Sequence, residues 1–468
     1  MGGIFGVVSK NNCIDDLFYC TDYHFHLGTK IGGLAVLSPE GFRKSLHSIE
    51  KDYFRSKLGP DLYELQGNSG IGAISDTDNQ PLVIDSHLGT FGVVTVGKIN
   101  NLDSLKEIAF NKGAIFSDVE KDGVGPTNLV AYLISQQENF KSGIESVQDL
   151  IDGSCSLLLL TQEGIYAARD KFGRTPIVIG KKNGSYAATF ETCAFPTREF
   201  EIERFLGPGE IVLINPDGIN NIKGPENKLS ICSFLWVYYG FPASNYENKN
   251  VETVRYNCGA ALARRDKSEG IKISAVAGIP DSGTGHAIGY ANEIKISYKR
   301  PFVKYTPTWS RSFMPIDQEI RDMIAKMKLI PIKELIEDQD ILFCEDSIVR
   351  GTQLQDNIIS LYESGANSVH MRPNCPPLLF GCKYLNFSRS KSVLELAGRR
   401  AIKELEGDPN KDLYQYAEFG SEKYNAMVRR IEQRFGLDSL RYQNLNDLVG
   451  AIGLPKDKLC TYCWDSVE

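Results

Sequence analysis

The feature that most constrains the fold is an apolar run that ends in two adjacent carboxylates. Residues 341–354, ILFCEDSIVRGTQL, form a pattern typical of a strand that delivers Glu345 and Asp346 and a small-residue turn that opens a helix. Backbone N–H groups at a helix N-terminus hold phosphate, and carboxylates at a strand end can bind the vicinal hydroxyls of a ribose. Ligands of open α/β sheets lie beyond the carboxyl ends of the strands. The same pattern is also typical of a simple helix cap.

The second half of the chain alternates strands with amphipathic helices. NVETVRYNCGAALARR precedes IKISAVAGIP, and DQDILFCEDS precedes TQLQDNIISLYESG. This alternation predicts a parallel sheet with flanking helices. Before about residue 225, short β-branched runs alternate with turn residues, which predicts a strand-rich α/β domain with more than one sheet. The polar segment GPENKLS, at 224–230, divides the predicted domains, 1–228 and 229–468.

Charge and composition exclude several classes of protein. The 468-residue chain has a net charge of −7 and no basic block, so we expect no nucleic-acid partner. It has no run of apolar residues long enough to span a membrane and no signal-peptide pattern, so we expect no membrane partner and a cytoplasmic location. Eleven cysteines in a reducing compartment argue against disulfides, which leaves metal binding or burial to explain them.

Residues 342–352 resemble the signature with which type I phosphoribosyltransferases bind phosphoribosyl pyrophosphate (PRPP). DSIVRGT is the form used in the glutamine PRPP amidotransferase family, which usually has two aspartates where this chain has Glu345 and Asp346. The resemblance implies that Glu345 and Asp346 bind Mg²⁺ together with PRPP. It assigns PRPP binding to Asp281, Ser282, Gly283, Glu345, Asp346, Ser347, Ile348, Val349, Arg350, Gly351 and Thr352.

Two further segments carry the same resemblance. SAVAGIPDSGTGHAIGYA, at 274–291, resembles the pyrophosphate loop and its helix, although PDSG alone predicts only a turn. PFVKYTPTWSRSFMP, at 301–315, stands where the family has a flexible loop that closes over PRPP. Lys304 and Arg311 keep the family's residue types there, and we expect them to be catalytic. Residues 305–310 differ from the family pattern, which leaves the amine acceptor open.

The first half resembles the Ntn-type glutaminase domain of the same family, as in IDGSCSLLLLTQEGIYAARD at 151–170 and ATFETCAFPT at 188–197. The resemblance implies an Ntn-hydrolase-like αββα domain, but its catalytic positions differ. An active member uses an N-terminal cysteine as nucleophile, whereas this chain has Gly2. Leu27 replaces an arginine, and Val96 replaces an asparagine of the oxyanion hole. Losing one such donor typically costs about 2.7 to 4 kcal/mol, so we expect an inactive glutaminase.

The C-terminal CTYC supplies Cys460 and Cys463, a spacing that suits metal binding or redox chemistry. Some members of the family hold a [4Fe-4S] cluster, and the resemblance assigns its ligands to Cys232, Cys382, Cys460 and Cys463. Four thiolates suit either an iron–sulfur cluster or zinc, and the resemblance favours the cluster. Cys13 and Cys20 are the thiols nearest to Gly2 along the chain, and we expect neither to act as a glutaminase nucleophile.

The reaction that the resemblance implies is displacement of pyrophosphate from C1 of PRPP by a nitrogen nucleophile. We expect a phosphoribosyltransferase that uses ammonia or another amine, free or supplied by a partner protein, without glutaminase activity of its own. We also expect a homo-oligomer. Two alternatives stay open: a non-catalytic PRPP-binding regulatory paralogue, and a glutamine-dependent amidophosphoribosyltransferase of purine biosynthesis.

Overall fold

The computed structural model describes residues 2–116, 123–267, 270–304, 329–385 and 392–467, with the backbone alone at 352 and 353. Strands dominate the first half. In chain order they are β1 (Gly3–Ser9), β2 (Ile31–Ser38), β3 (Gly41–Ser48), β4 (Ser69–Ser75), β5 (Leu82–Ser86), β6 (Gly89–Ile99), β7 (Gly153–Thr161), β8 (Gly164–Ala168), β9 (Val178–Lys182), β10 (Ser185–Thr189), β11 (Glu201–Phe205), β12 (Ile211–Asn215) and β13 (Gly218–Lys223). The helices are α1 (Ile14–Asp22), α2 (Phe54–Leu58), α3 (Leu102–Asn111), α4 (Pro126–Ser135) and α5 (Phe140–Leu150).

These strands form two antiparallel sheets that stack face to face. Their strand orders are β11-β9-β10-β1-β4-β2-β3 and β13-β12-β8-β7-β6-β5. Successive side chains of β1 alternate between two cores, since Ile4 and Val8 face the second sheet while Phe5 and Val7 pack with α1. Helices α4 and α5 cover the outer face of the second sheet. The layers therefore run helix, sheet, sheet, helix, as the family resemblance implies.

The second half is built around a parallel sheet. The strands in this half of the chain are β14 (Ile231–Cys232), β15 (Asn245–Tyr246), β16 (Lys249–Asn250), β17 (Ala275–Gly278), β18 (Phe302–Lys304), β19 (Leu329–Pro331), β20 (Asp340–Glu345), β21 (Ser368–Pro373), β22 (Ser439–Leu440) and β23 (Leu459–Cys460). Its helices are α6 (Val251–Asp266), α7 (Gly283–Ile294), α8 (Thr352–Glu363), α9 (Ala397–Glu406), α10 (Leu413–Ala417), α11 (Glu422–Phe435), α12 (Leu445–Ile452) and α13 (Tyr462–Asp465). The parallel order is β17-β20-β21-β22.

Both faces of this parallel sheet are buried. Leu342 and Cys344 of β20 pack with residues of α6 and α7, while Ile341 and Phe343 lie in the core on the other face. Helices α6 and α7 approach so closely that a Cβ atom on Gly259 would lie 1.8 Å from the carbonyl oxygen of His286. Glycine is therefore required at this crossing.

The C-terminal tail returns to the start of the second domain. After β13 ends at Lys223, the next strand is β14, and it pairs in parallel with β23 so that Cys232 lies opposite Cys460. The backbone N–H groups of Leu379 and Phe380 both donate to the carbonyl oxygen of Cys463, at 3.1 Å. Among the helices that the structure describes, none is both long and apolar enough to cross a membrane.

Candidate functional site

Two strand ends meet at one edge of the parallel sheet. Strands β17 and β20 are neighbours, with Gly278 opposite Cys344, and each is followed by a loop that opens a helix, α7 or α8. The loops are tied together, because the hydroxyl of Ser282 donates to the Asp346 carboxylate. A Cβ atom on Gly283 would lie 2.4 Å from the carbonyl oxygen of Cys344, so only glycine allows this approach. Asp281, Ser282 and Gly283 thus lie beside Glu345 and Asp346.

The acid pair at the end of β20 is held in a low-dielectric setting. Asp346 is buried, and the hydroxyl of Ser347 donates to it at 2.6 Å. Burial raises the pKa of Asp346, against the opposing effect of hydrogen bonds from Ser282 and Ser347. Burial and the neighbouring Asp346 charge raise the pKa of Glu345 well above its usual range. Two crowded carboxylates with raised pKa values favour a bound cation or hydroxyl donors.

The loop after the acid pair, residues 347–351, is held in place by contacts with residues of the C-terminal segment. Gly351 precedes α8 with φ +74°, and a Cβ atom there would lie 2.1 Å from Cζ of Phe435. Ile348 is buried, and the carbonyl oxygen of Val349 accepts a hydrogen bond of 2.8 Å from Ala397. Arg350 forms an ion pair with Glu395 at 2.6 Å. Ser347 to Thr352 therefore reach the first turn of α8, whose N-terminal N–H groups suit phosphate.

Lys304 lies at the same edge of the sheet. It ends β18, and its Nζ atom is 2.6 Å from Oδ2 of Asp281 in the preceding loop. Arg311, the other residue expected to be catalytic, lies outside the described residues.

A buried arginine that the sequence did not reveal lies beneath the acid pair. Arg255 is 2% exposed and donates to the carbonyl oxygens of Trp236, Tyr238 and Gly240 at 2.9–3.0 Å. These acceptors belong to or adjoin a π-helical turn at Leu235–Tyr239. The Arg255 charge also acts on the Asp346 carboxylate. The segment that joins the two domains is thereby held under the candidate site.

The first domain contains a small cavity at the residues that differ from a glutaminase. Gly2, Val96 and Gly97 line it together with Ser154 and Cys155, whereas Leu27 is buried elsewhere. Burial raises the pKa of the Cys155 thiol far above its usual value. Cys13 and Cys20 belong to a different core cluster, so the thiol on the cavity wall is Cys155. A Cβ atom on Gly2 would lie 1.9 Å from the carbonyl oxygen of Ile74.

The four cysteines singled out from the sequence come together at the domain junction. Cys232, Cys382, Cys460 and Cys463 line one cavity, with Arg174 and four aromatic residues on the same wall. A hydrogen bond from Cys463 lowers the pKa of the Cys382 thiol to about 7. The backbone N–H of Leu385 also donates to Sγ of Cys382, at 3.2 Å.

Side chains of the first domain contact the segment that carries Cys382. Within the described ranges, no three histidine, cysteine or acidic side chains are grouped so as to hold a metal ion. Lys98 and Asn100, at the end of β6, donate to the carbonyl oxygens of Cys382 and Lys383, at 3.2 and 2.8 Å. Both domains therefore enclose the cavity.

Comparison with known proteins places the chain among relatives of one kind. A family model described as a glutamine amidotransferase domain matches residues 70–195. The chain is 28% identical to the amidophosphoribosyltransferase of Methanothermobacter thermautotrophicus, in an alignment covering 99% of this chain and 92% of the relative. It is 27% identical to the amidophosphoribosyltransferase of Bacillus subtilis, over 98% of this chain and 92% of that protein.

Solved structures agree with the sequence relatives. The glutamine PRPP amidotransferase of B. subtilis, complexed with ADP and GMP, matches with a TM-score of 0.83 and 25% identity, covering 99% of this chain and 96% of that chain. The likeness confirms the predicted fold class, an Ntn-hydrolase-like αββα domain followed by a type I phosphoribosyltransferase domain. The chain therefore belongs to the amidophosphoribosyltransferase family.

Proposed function

We propose that the second domain binds PRPP between the ends of β17 and β20 and transfers its phosphoribosyl group to a nitrogen nucleophile. The observation that carries this proposal is the direct contact between the two loops, in which Ser282 donates to Asp346. A loop that presents backbone donors and a loop that presents paired carboxylates are thus fixed side by side. This arrangement matches a ligand with a diphosphate at one end and ribose hydroxyls at the other.

The residues act mainly by positioning and by electrostatics. Backbone N–H groups after Asp281 hold the pyrophosphate, those of 347–352 hold the 5-phosphate, and Glu345 with Asp346 accept from the ribose hydroxyls. Lys304, now paired with Asp281, is placed to neutralise charge on the departing pyrophosphate. The nitrogen lone pair forms a bond to C1 as the bond from C1 to the pyrophosphate oxygen breaks. The electron pair of that bond leaves with pyrophosphate, and the proton released by nitrogen passes to solvent.

Glu345 and Asp346 fit a Mg²⁺ ion that is brought with PRPP. They offer adjacent carboxylate oxygens, which are the ligands Mg²⁺ prefers. Burial raises the pKa of both carboxyl groups, and a bound cation would offset the cost of keeping them ionised. When bound there, Mg²⁺ would supply charge stabilisation to the pyrophosphate oxygens.

Ammonia or another amine, rather than glutamine, is the nitrogen source that we propose. The cavity of the first domain presents Gly2 and Val96, which carry neither a nucleophile nor an oxyanion donor in their side chains. Cys155 is the thiol on the cavity wall, and its raised pKa keeps it protonated and unreactive. The covalent route through an acyl thioester therefore lacks its attacking group.

A glutamine-dependent amidophosphoribosyltransferase is the second candidate, because the relatives' names favour it. They are amidophosphoribosyltransferases that match nearly the whole chain, and the B. subtilis structure is titled a glutamine PRPP amidotransferase. Their names agree more directly with this candidate than with a transferase that lacks glutaminase activity. The two candidates share the phosphoribosyl transfer and differ only in where the nitrogen originates.

Pyrophosphate release distinguishes the candidates. The full chain, PRPP and Mg²⁺ are incubated with ammonium chloride, with glutamine, or with neither. We expect release with ammonium and none above background with glutamine, together with no glutamate formation. Release with glutamine at a rate comparable to that with ammonium would establish the second candidate. No release with either nitrogen source would contradict both.

We further propose that Cys232, Cys382, Cys460 and Cys463 hold a [4Fe-4S] cluster, with zinc as the alternative. Four thiols on one cavity wall fit the donor set of either centre. A tetrahedral zinc site needs sulfur atoms about 3.8 Å apart, since each lies about 2.3 Å from the metal. A [4Fe-4S] cluster holds its four thiolates farther apart than zinc does, so the separation of the sulfur atoms in the loaded protein distinguishes the two centres. Bound there, it would supply a structural tie between the domains.

A further inference from the structure

The buried guanidinium of Arg174 has unsatisfied N–H donors, and it interacts with the thiol of Cys460, one of the four cysteines. Its side chain is 5% exposed, with Cζ 3.6 Å from the ring centroid of Tyr384 and 4.7 Å from that of Phe172. Neither Nε nor Nη1 finds a hydrogen-bond acceptor among the described residues. Burying unsatisfied guanidinium donors is costly, so acceptors are needed in the space that these donors face.

Arg169, a second buried arginine of the same loop, has acceptors for its guanidinium within the protein chain. Nε of Arg169 donates to the carbonyl oxygen of Thr175 at 3.0 Å, and Nη1 lies 2.7 Å from Oε1 of Glu247. Nη2 of Arg169 donates to the carbonyl oxygen of Gly173, at 2.7 Å. Arg169 is thus satisfied by carbonyl and carboxylate oxygens, whereas Nε and Nη1 of Arg174, five residues further on, have no acceptor in the described part of the chain.

The space that Arg174 faces is the four-cysteine cavity. Arg174 lines that cavity, and its own carbonyl oxygen accepts a hydrogen bond of 3.2 Å from the backbone N–H of Cys232. Four thiolates bound to a [4Fe-4S]²⁺ core or to Zn²⁺ carry a net charge of −2, and their sulfur atoms accept hydrogen bonds. An anionic metal–thiolate centre would therefore supply both the counter-charge and the acceptors that Arg174 lacks.

We propose that Arg174 is a positioning residue for the metal–thiolate centre, to whose sulfur atoms it donates through Nε–H and Nη1–H. This inference rests on the metal centre proposed above. Its physical consequence is that Arg174 stabilises the more negative, reduced form of a cluster more than the oxidised form. Arg174 belongs to the first domain and three of the four cysteines to the C-terminal half of the second, so the same contact ties the domains together.

Two Arg174 variants and one control test this inference in the full chain. Arg174→Met removes the charge and the donors, and Arg174→Lys keeps the charge but loses the planar pair of donors. The control is Lys228→Met, which removes an exposed cation 5.8 Å from the ring of Phe172. Iron, sulfide and zinc are measured first, and then the midpoint potential and the rate at which air bleaches the cluster.

We expect Arg174→Met to shift the midpoint potential to a more negative value and to speed bleaching at least five-fold. Arg174→Lys should lie between Arg174→Met and the wild type, and Lys228→Met should match the wild type. If Arg174→Met does not fold, the midpoint potential of Arg174→Lys is the test: a more negative value supports the inference, and an unchanged value contradicts it. If zinc is present instead, chelator should remove it at least five-fold faster from Arg174→Met.

Two different failures can be told apart. A wild-type protein that holds a metal centre whose potential and lability are unchanged in both Arg174 variants would overturn the role of Arg174 alone. A wild-type protein without iron, sulfide or zinc after anaerobic reconstitution would overturn the metal centre and the role of Arg174 with it.

Discussion

Lys304 and Asp281 form an ion pair at the edge of the parallel sheet, with Nζ 2.6 Å from Oδ2. The pair joins the end of β18 to the loop after β17. Both side chains are partly exposed, so the bond contributes little to stability and can be exchanged for a ligand. A phosphate that enters this loop could replace Asp281 as the partner of Lys304, so we propose a functional rather than a structural role for the lysine.

Lys304→Met should therefore lower kcat/KM for PRPP about 10²-fold, the size of effect seen when one charge-stabilising donor is removed. Thermal stability should change little. The matched control is Lys333→Met, because Lys333 forms an exposed ion pair with Glu337 elsewhere on the same domain. Steady-state pyrophosphate release measures the effect. Equal kinetics for the two variants would show that Lys304 does not contact the substrate.

Glu345→Gln should stabilise the ligand-free protein while weakening binding of magnesium and PRPP. Burial and then the neighbouring Asp346 charge raise the pKa of Glu345, and a neutral amide at this position removes both the cost of burying the charge and the repulsion. We expect a gain on the order of 1 kcal/mol in the free energy of unfolding and a loss of at least ten-fold in PRPP affinity. Glu345→Asp should keep the affinity within a few-fold. Chemical denaturation and calorimetry provide the two measurements, and a less stable Glu345→Gln variant would contradict the account of the pair.

Gly2→Cys should not create a glutaminase. A Cβ atom at this position would lie 1.9 Å from the carbonyl oxygen of Ile74, so the strand would have to shift, and Val96 would still supply no side-chain donor. We expect no glutamate formation and a lower melting temperature. Gly450→Cys is the control, because that glycine lies in α12 with no atom within 4 Å of an added Cβ. Glutamine hydrolysis by Gly2→Cys at a wild-type melting temperature would show that the cavity retains its catalytic geometry.

Stability should fall as the pH is lowered from about 6.5 towards 4, in part because of His24. Burial lowers the pKa of His24 to about 4, while its Nδ1 contacts the carbonyl oxygen of Cys20 at 2.9 Å. In the unfolded chain His24 binds a proton with a pKa near 6.5, whereas in the folded chain it does so only near pH 4. Protonation of His24 therefore favours unfolding. The shift corresponds to a loss on the order of 3 kcal/mol in the free energy of unfolding once the pH reaches about 4.

His24→Gln tests this pH dependence. The free energy of unfolding of this variant, measured in urea between pH 7 and 5, should fall less steeply than that of the wild type. His87→Gln, which changes an exposed ring, should keep the wild-type slope. Parallel profiles for wild type and His24→Gln would exclude His24 as the source.

The sequence predicted the elements whose patterns are local. The acid pair, the turn and α8 follow one another along the chain, and the continuous apolar run of β20 is typical of a strand buried on both faces. The parallel sheet followed from the alternation of strands and helices, whereas the αββα layers were implied by the family resemblance. The positions of Gly2 and Val96 on one cavity agree with the family alignment.

Contacts between residues far apart along the chain were not predictable. Arg174 meets Tyr384, and the buried Glu191 carboxylate accepts from Tyr246 at 2.6 Å and pairs with His26 at 3.0 Å. Such partners are chosen by how the domains pack, and a lone arginine or glutamate carries no local pattern that reveals burial. Cys155 likewise lies beside an apolar run of the sequence, and only the fold shows that it borders the cavity beside Gly2.

Binding of PRPP tests the central claim most directly. Calorimetry with MgCl₂ is performed on the wild type, on Asp346→Asn, and on Asp356→Asn as a control that changes an exposed carboxylate of α8. The account predicts saturable heat for the wild type and the control, and at least a ten-fold weaker affinity for Asp346→Asn. No heat with the folded wild type, or equal affinity in all three proteins, would contradict a PRPP site at these two strand ends.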